Sequence, residues 1–170
     1  SMQGVNGLWA KENGKIIKNP GGAFIDDLDS FPIPDWDLWK DLDKYFYYLR
    51  MLYVIGTRGC PYKCTYCDAV GIANAVQGKY YRLRNPVGYA REIAYMWHKY
   101  KPRGVKIANV YDQIFTVDTK WVKEFCDEYR AQGMADEFKF SAFSRIDHLN
   151  EEKMKMLGKG GCCLLRVGIE

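Results

Sequence analysis

The segment YVIGTRGCPYKCTYCDAV, residues 53–70 of this 170-residue chain, contains the most informative pattern in the sequence. Its three cysteines, Cys60, Cys64 and Cys67, have the spacing C-x3-C-x2-C and follow directly after a short apolar run. Thiolates are soft ligands that suit zinc, copper(I) or iron–sulfur clusters. The spacing therefore predicts a metal site in the loop that follows a strand.

The number of thiols in this loop limits the choice of metal. Structural zinc takes four ligands in a closed tetrahedral site, and the loop supplies only three. The two histidines, His98 and His148, are distant from it in sequence. Three thiolates suit a [4Fe–4S] cluster in which one iron stays open to another ligand. Zinc binding or a disulfide remains the alternative.

Composition and cysteine usage bound the class of protein. Apolar residues make up 48% of the chain and aromatic residues 15%, which predicts one folded domain with a sizeable core. The net charge is +4 with both signs interspersed, so the charge does not point to a nucleic-acid partner, and we expect no membrane partner. The clustered cysteines differ from a secreted disulfide framework and indicate the reducing cytoplasm. We expect the other three, Cys126, Cys162 and Cys163, to be buried core thiols.

The chain is predicted to consist of a lead-in, residues 1–50, and a core, residues 51–170. The lead-in contains a hairpin that turns at Asn13-Gly14, a connector rich in proline and aspartate, and a short helix at about residues 38–47. The core alternates strands at 52–57, 104–110, 138–144 and 162–169 with helices at 85–102, 118–133 and after Asn150. This alternation predicts an α/β fold with a parallel sheet, in which ligands bind at the carboxyl ends of the strands.

The cysteine segment also resembles a known motif. RGCPYKCTYC, residues 58–67, is similar to the cluster motif of radical S-adenosylmethionine (SAM) enzymes, including the aromatic residue before the third cysteine. Companion segments of that superfamily follow in the same order: YYRLRNPVGYAREI, YDQIFTVD, FSRIDHLNEEKMKMLGKGGC and GIE. The lead-in segments NGKIIKN and IDDLDSFPIPDWDL resemble the connection between a cobalamin-binding domain and the radical SAM domain in one large subgroup.

The resemblance implies a set of ligands. Cys60, Cys64 and Cys67 would bind three irons, and the amino and carboxylate groups of SAM would chelate the fourth. Tyr66 would lie against the adenine. The methionine and ribose parts of SAM would be held by residues at the strand ends, namely Asp112, Gln113, Ser141, Arg145 and Glu170. For Arg145 and Asp112 a structural ion pair is the alternative, and family members often carry two acidic residues where this chain has Asp112-Gln113.

The resemblance further implies a partial (βα) barrel of the radical SAM type, with about four parallel βα units behind an N-terminal hairpin and linker. SAM would be cleaved reductively to a 5′-deoxyadenosyl radical that abstracts hydrogen from an unknown substrate, with electrons from a donor such as flavodoxin or ferredoxin. Cobalamin would bind through a domain outside this sequence.

The length of the core adds two expectations. The superfamily core usually has six βα units, so we expect this chain to be a fragment that self-associates through its fourth strand. A non-catalytic or degenerate iron–sulfur or zinc module, or an inactive fragment, is the alternative function.

Overall fold

The computed structural model describes residues 2–169, which form two compact units. The hairpin–cysteine unit contains residues 2–27 and 59–82, and the sheet unit contains residues 28–58 and 83–169. The predicted boundary between residues 50 and 51 stays a prediction.

The described helices and strands include four core strands that are separated from one another by helices. In chain order they are β1 (Trp9–Glu12), β2 (Lys15–Lys18), α1 (Leu42–Leu49), β3 (Met51–Val54), β4 (Thr57–Arg58), α2 (Ala69–Ala75), β5 (Arg82–Leu83), α3 (Pro86–Tyr100), β6 (Ile107–Val110), α4 (Thr119–Ala131), α5 (Met134–Glu137), β7 (Phe140–Arg145), α6 (Glu151–Lys159) and β8 (Cys162–Gly168). Within residues 2–169, no helix has the length and apolar character needed to cross a membrane.

The predicted N-terminal hairpin is confirmed. Strands β1 and β2 pair antiparallel, with Glu12 opposite Lys15. Asn13 and Gly14 between them have φ angles of 50° and 79°. A two-residue turn with both φ angles positive matches the right-handed twist of the flanking strands, which is why Asn-Gly is favoured there.

Four strands of the sheet unit form a parallel sheet in the order β3-β6-β7-β8. Each strand of this sheet pairs with the strand of the same sheet that follows it along the chain, as is usual for successive βα units. The register places Tyr53 beside Asn109, Asn109 beside Ser141, and Phe143 beside Arg166. The predicted α/β fold with about four parallel strands is therefore confirmed.

The three longer helices of the core begin at side-chain caps. Asn85 Oδ1 accepts a hydrogen bond from the backbone N–H of Gly88 at the start of α3, and Pro86 occupies the first helical turn. Asp118 and Asn150 cap α4 and α6 in the same way. Each cap satisfies one of the N–H groups that a helix leaves without a partner in its first turn.

These helices cover one face of the parallel sheet. Helix α3 packs against α4, and α4 packs against α6. The strands contribute alternate residues to this core, as the period of a β-strand requires: Leu52, Val54, Ala108, Val110, Phe140 and Ala142. The intervening strand residues therefore lie on the opposite face of the sheet, where the polar residues of interest are found.

The predicted helix at residues 38–47 begins later than expected. Asp35 accepts a hydrogen bond from the backbone N–H of Asp37 and caps a short 3-10 turn, Trp36–Leu38. Helix α1 then begins at Leu42 and ends at Leu49. The residues predicted to form the first turn of the helix therefore belong to this separate 3-10 turn, and the helix begins four residues later than predicted.

The three remaining cysteines differ in burial. Cys126 is buried in the core as predicted, and Cys162 is partly buried against it. Cys163 is exposed, so its prediction as a core thiol is wrong. The cause is a bulge in the pairing of β7 with β8: Phe140 pairs with Cys162 and Ser141 with Leu164, which leaves Cys163 as the extra residue.

Candidate functional site

The backbone that leads from β3 toward the cysteines is held by Asp112. Asp112 Oδ1 accepts hydrogen bonds from the N–H groups of Gly56, at 2.7 Å, and Thr57, at 2.9 Å. A Cβ atom at Gly56 would lie 2.3 Å from the ring of Tyr89, so this position requires glycine. The segment between β3 and the cysteine loop is therefore fixed at the carboxyl end of the sheet.

Burial sets the charge state of Asp112. Its side chain is buried, which raises its pKa to about 6, while the N–H groups of Thr57 and Gly56 oppose that rise. Within the described residues, Asp112 Oδ2 is buried and accepts no hydrogen bond. The contacts of Asp112 are thus those of a residue that positions the loop, and its assignment to SAM stays a prediction.

The cysteine loop begins at a glycine that no other residue can replace without strain. Gly59 has a φ angle of 81°, and a Cβ atom there would lie 2.3 Å from the carbonyl oxygen of Tyr80. Farther along, the backbone N–H of Cys67 donates to the carbonyl oxygen of Cys64 at 3.1 Å. The hairpin–cysteine unit therefore folds the loop back on itself through backbone contacts.

The donor chemistry of this loop fits an iron–sulfur cluster. Cys60, Cys64 and Cys67 are all partly exposed thiols, so a metal can reach them. In residues 2–169, however, no three side chains of His, Cys, Asp or Glu are gathered closely enough to hold a metal ion. Metal sites are often completed only when the metal binds, so convergence of the three thiols would accompany cluster binding.

A second polar group lies on the face of the sheet opposite the helices. Ser141 Oγ donates to Asn109 Oδ1 at 2.9 Å, and Arg166 NH1 lies 3.0 Å from Asn109 Oδ1 and 3.2 Å from Ser141 Oγ. Asn109 and Ser141 are 4% and 0% exposed. Three adjacent strands therefore contribute one hydrogen-bonded cluster, in which Asn109 and Ser141 are buried and Arg166 is partly buried.

An aromatic row crosses the same face. The ring of Tyr53 lies 6.1 Å from that of Tyr111, which lies 5.4 Å from that of Phe143. The guanidinium of Arg166 lies 5.1 Å from the centre of the Phe143 ring. The aromatic row, defined as Tyr53, Tyr111 and Phe143, thus ends at a positive charge.

An apolar cavity of about 460 Å³ adjoins the aromatic row. Tyr53 and Tyr111 belong to its lining, together with Trp36 and Trp39 from the connector. Its charged lining residues are Arg58, Arg84 and Glu92. The last two form an ion pair with 2.6 Å between Arg84 NH2 and Glu92 Oε2. The cavity has the apolar lining and few polar groups typical of small-molecule sites.

The other residues predicted to bind SAM are dispersed. Tyr66 is 66% exposed and Gln113 is exposed. Arg145 forms two hydrogen bonds with Asp147, of 3.0 and 2.9 Å, and this contact lowers the pKa of the Asp147 carboxyl. The predicted Glu170 lies outside the described residues. The roles of these residues in SAM binding stay predictions.

Two residues of the polar cluster were missed by sequence reasoning. Asn109 interrupts the apolar strand IANV, and Arg166 interrupts the apolar segment CCLLRVG. A polar residue inside a buried strand needs a hydrogen-bond partner, so its position in an apolar run is a sequence signal for a polar cluster. The partners themselves depend on the register of three strands, which the sequence does not reveal.

Solved structures identify the class of protein that has this fold. The chain matches the cobalamin-dependent SAM radical enzyme OxsB, solved with aqua-cobalamin bound, with a TM-score of 0.71 and 18% identity over 98% of this chain and 24% of OxsB. It also matches the radical SAM methyltransferase TsrM from Kitasatospora setae, solved with cobalamin and a [4Fe–4S] cluster, with a TM-score of 0.54 and 18% identity. That second match covers 69% of this chain and 22% of TsrM. The fold is therefore the partial barrel of the radical SAM type.

Comparison of the amino-acid sequence with known proteins identifies three relatives. The chain is 30% identical to an uncharacterised methyltransferase of Pyrococcus horikoshii, over 99% of this chain and 35% of the relative. It is 28% identical to the anaerobic magnesium-protoporphyrin IX monomethyl ester cyclase of Cereibacter sphaeroides, over 98% of this chain and 26% of the cyclase. The cyclase of the same name from Synechocystis is 30% identical over 77% of this chain and 25% of its own length.

The relatives agree with the fold. The resemblance to radical SAM enzymes with an associated cobalamin is confirmed over nearly the whole chain, and the relatives are enzymes. The chain spans about a third or less of the length of these curated relatives. No protein-family model matches it.

Proposed function

We propose that this chain is the cluster- and SAM-binding core of a radical SAM enzyme. One observation carries the proposal: a loop with three partly exposed thiols follows the first strand of a radical SAM-type sheet. Cys60, Cys64 and Cys67 would hold three irons of a [4Fe–4S] cluster, and SAM would bind the fourth. When bound, the cluster supplies the electron that cleaves SAM to methionine and a 5′-deoxyadenosyl radical, which abstracts hydrogen from the substrate.

The chain's own residues prepare this chemistry. Asp112 holds the backbone of Gly56 and Thr57, which orients the segment entering the cysteine loop. The charges of Arg58 and Lys63 would offset the negative charge of three thiolates and a cluster. These contributions concern position and charge, which the protein supplies around a cofactor.

The SAM contacts are also part of the proposal. Tyr66 has an exposed ring that is accessible for stacking on adenine. The methionine and ribose parts of SAM would contact residues at the strand ends, namely Asp112, Gln113, Arg145 and Glu170. The predicted contact of Ser141 with SAM is not part of this proposal, because the Ser141 hydroxyl is buried and already hydrogen-bonded to Asn109 and Arg166.

The proposal also includes a cobalamin and an electron donor for the whole protein. Cobalamin would bind in a separate domain, because the solved relatives OxsB and TsrM hold cobalamin. A flavodoxin or ferredoxin would supply electrons in the cytoplasm, where thiols stay reduced.

Anaerobic reconstitution with iron and sulfide tests cluster binding. We expect the wild-type chain to bind iron and sulfide in equal amounts and to gain broad visible absorption. Cys64→Ala should lose the cluster, whereas Cys126→Ala, which removes a buried core thiol, is the matched control and should keep it. A full cluster in Cys64→Ala would contradict the assignment.

Reduction in the presence of SAM tests the activity. We expect dithionite and SAM to give 5′-deoxyadenosine, detected by liquid chromatography with mass spectrometry, from the reconstituted wild type but not from Cys64→Ala. The alternative function is a non-catalytic or degenerate metal-binding module. A stable cluster or bound zinc without 5′-deoxyadenosine would support that alternative.

A further inference from the structure

We propose that Arg166 and the aromatic row bind a substrate in which a carboxylate is attached to a ring-containing body. This inference rests on the proposed function in one respect, because it names the substrate class of that site. The binding surface itself consists of Tyr53, Tyr111, Phe143 and Arg166, which lie on one face of the sheet unit.

The charge of Arg166 has no counter-ion in the described structure. Arg166 NH1 donates to the neutral oxygens of Asn109 and Ser141, and among residues 2–169 no carboxylate forms an ion pair with it. The guanidinium has five N–H donors, and these two contacts involve only one of its nitrogens. Charged side chains that are withdrawn from water are usually paired, and this guanidinium is partly withdrawn, so we infer that the ligand supplies the negative charge.

The position of this guanidinium is fixed before any ligand binds. Asn109 and Ser141, which anchor it, are 4% and 0% exposed and are hydrogen-bonded to each other. Both lie on strands rather than on loops. Because little side-chain freedom remains to be lost, Arg166 is well suited to form a directed contact with a carboxylate.

The aromatic row determines the body of the ligand. Its three rings lie 6.1 and 5.4 Å apart, on β3, directly after β6, and on β7, and Tyr111 is 55% exposed. Such rings bind flat apolar groups by stacking or edge contacts. Since the row ends beside the Arg166 guanidinium, a ring on the row places an attached carboxylate within its reach.

The carboxylate that binds Arg166 has two possible sources, the substrate and the methionine part of SAM.

The preference for a charged ring compound is measured first, by isothermal titration of the 170-residue chain without iron and without SAM. Three probes are used: 2-naphthoate, its neutral amide 2-naphthamide, and acetate. We expect 2-naphthoate to bind at least about tenfold more tightly than either of the other two, because a hydrogen bond to a charged group contributes that much. Equal affinity for 2-naphthoate and 2-naphthamide would overturn the role of Arg166.

Variants assign the binding to this surface. Arg166→Gln keeps a donor for Asn109 but removes the charge. It should therefore weaken the binding of 2-naphthoate about tenfold and leave the affinity for 2-naphthamide unchanged. Phe143→Leu should weaken both ring probes. Arg91→Gln, which removes an arginine that is 64% exposed and paired with Glu128 on the helix side, is the control and should bind as wild type. Circular dichroism checks that each variant is folded, and unchanged 2-naphthoate binding by a folded Arg166→Gln would overturn the proposal.

Competition separates the two sources of carboxylate. If the surface takes the substrate, saturating SAM should leave the affinity for 2-naphthoate unchanged. Displacement of 2-naphthoate by SAM would assign Arg166 to SAM and overturn the substrate assignment. Because these titrations need no cluster, failure to form 5′-deoxyadenosine would contradict the proposed function without altering their result.

Discussion

Asp112 Oδ1 lies 2.9 Å from the backbone nitrogen of Thr57, so a buried carboxyl after β6 fixes the backbone that follows β3. The same oxygen accepts the N–H of Gly56 at 2.7 Å. The residue that sequence reasoning assigned to SAM therefore also determines how the chain enters the cysteine loop. This contact makes the region before the cluster motif sensitive to the protonation of one side chain.

We predict that the stability contributed by Asp112 falls as the pH rises from about 4 to about 6. The ordinary pKa of 3.8 applies in the unfolded chain, and burial raises the pKa to about 6 in the fold. Between these values the folded protein keeps a proton that the unfolded chain has released. The contribution is therefore fully present below pH 3.8 and is lost above pH 6, with an amplitude of roughly 3 kcal/mol.

Urea unfolding of the wild type and of Asp112→Asn at pH 4.5 and pH 7 measures this effect. The asparagine variant keeps an acceptor for Gly56 and Thr57 and does not titrate, so other groups cancel in the comparison. Relative to the variant, the wild type should be more stable at pH 4.5 than at pH 7. A stability difference that is the same at both pH values would contradict the raised pKa.

The ion pair between Arg84 and Glu92 gives a second prediction. Their side chains are 15% and 6% exposed, and Arg84 also contacts Asp29 at 3.3 Å. Arg84→Met leaves the buried Glu92 charge without its partner, and should lower the free energy of unfolding by about 3 kcal/mol at neutral pH. The double variant Arg84→Met/Glu92→Met should lose less, because both charges are removed together. Equal losses in the single and double variants, measured by urea denaturation, would contradict this account.

The parts of the fold that depend on local chemistry could be predicted from the sequence. The Asn13-Gly14 turn and the Asn85 and Asn150 caps involve contacts within a few residues, and each was found as expected. The predicted start of the first helix was wrong, because Asp35 caps a separate short turn at that place. The predicted start at Leu38 is the last residue of that short turn, and helix α1 begins only at Leu42.

The candidate site was predictable only where its residues are close in sequence. Cys60, Cys64 and Cys67 could be recognised because their spacing is itself the signal. Asn109, Ser141 and Arg166 meet through the register of three strands, and the bulge at Cys163 shifts that register by one residue. Such a shift exchanges the two faces of a strand, so the partners of Arg166 required the structure.

Gly158 and Gly160, near the end of α6, provide a matched pair of sites at which to test how tightly the core is packed. A Cβ atom at Gly160 would lie 2.5 Å from Cys126 Cβ and 2.6 Å from its Sγ, whereas one at Gly158 would meet nothing within 4 Å. We predict that Gly160→Ala destabilises the protein by about 1–3 kcal/mol through overpacking. Gly158→Ala lies within the helix and should stabilise it by up to about 1 kcal/mol. Thermal unfolding of both variants checks this, and a neutral Gly160→Ala would show that the core relaxes around Cys126.

The cysteines should differ in reactivity in the cluster-free protein. Burial raises the pKa of the Cys126 and Cys162 thiols to about 12, so almost none of either is thiolate at pH 8. We expect iodoacetamide at pH 8 to modify the partly exposed Cys67 well before Cys126 and Cys162, as read by peptide mass spectrometry. In guanidinium chloride all three should react alike, which is the control. Equal native rates for Cys67 and Cys126 would contradict the burial of Cys126.

The last prediction is that the 170-residue chain self-associates through β8. This strand lies at one edge of the four-stranded sheet, and among the described strands only β7 pairs with it. Leu164 on β8 is 48% exposed and Ile169 beyond it is 91% exposed. An edge strand with exposed apolar side chains is a template for pairing with a second chain, and a lysine on such a strand is the usual means of preventing it. The mean mass from light scattering should therefore rise with concentration in the wild type and stay near that of a monomer in Leu164→Lys. Met154→Lys, which places the same charge on an exposed residue of α6, should behave as the wild type. A wild-type chain that is monomeric across the whole dilution series, or a Leu164→Lys chain that associates as strongly as the control, would show that this edge is not the contact.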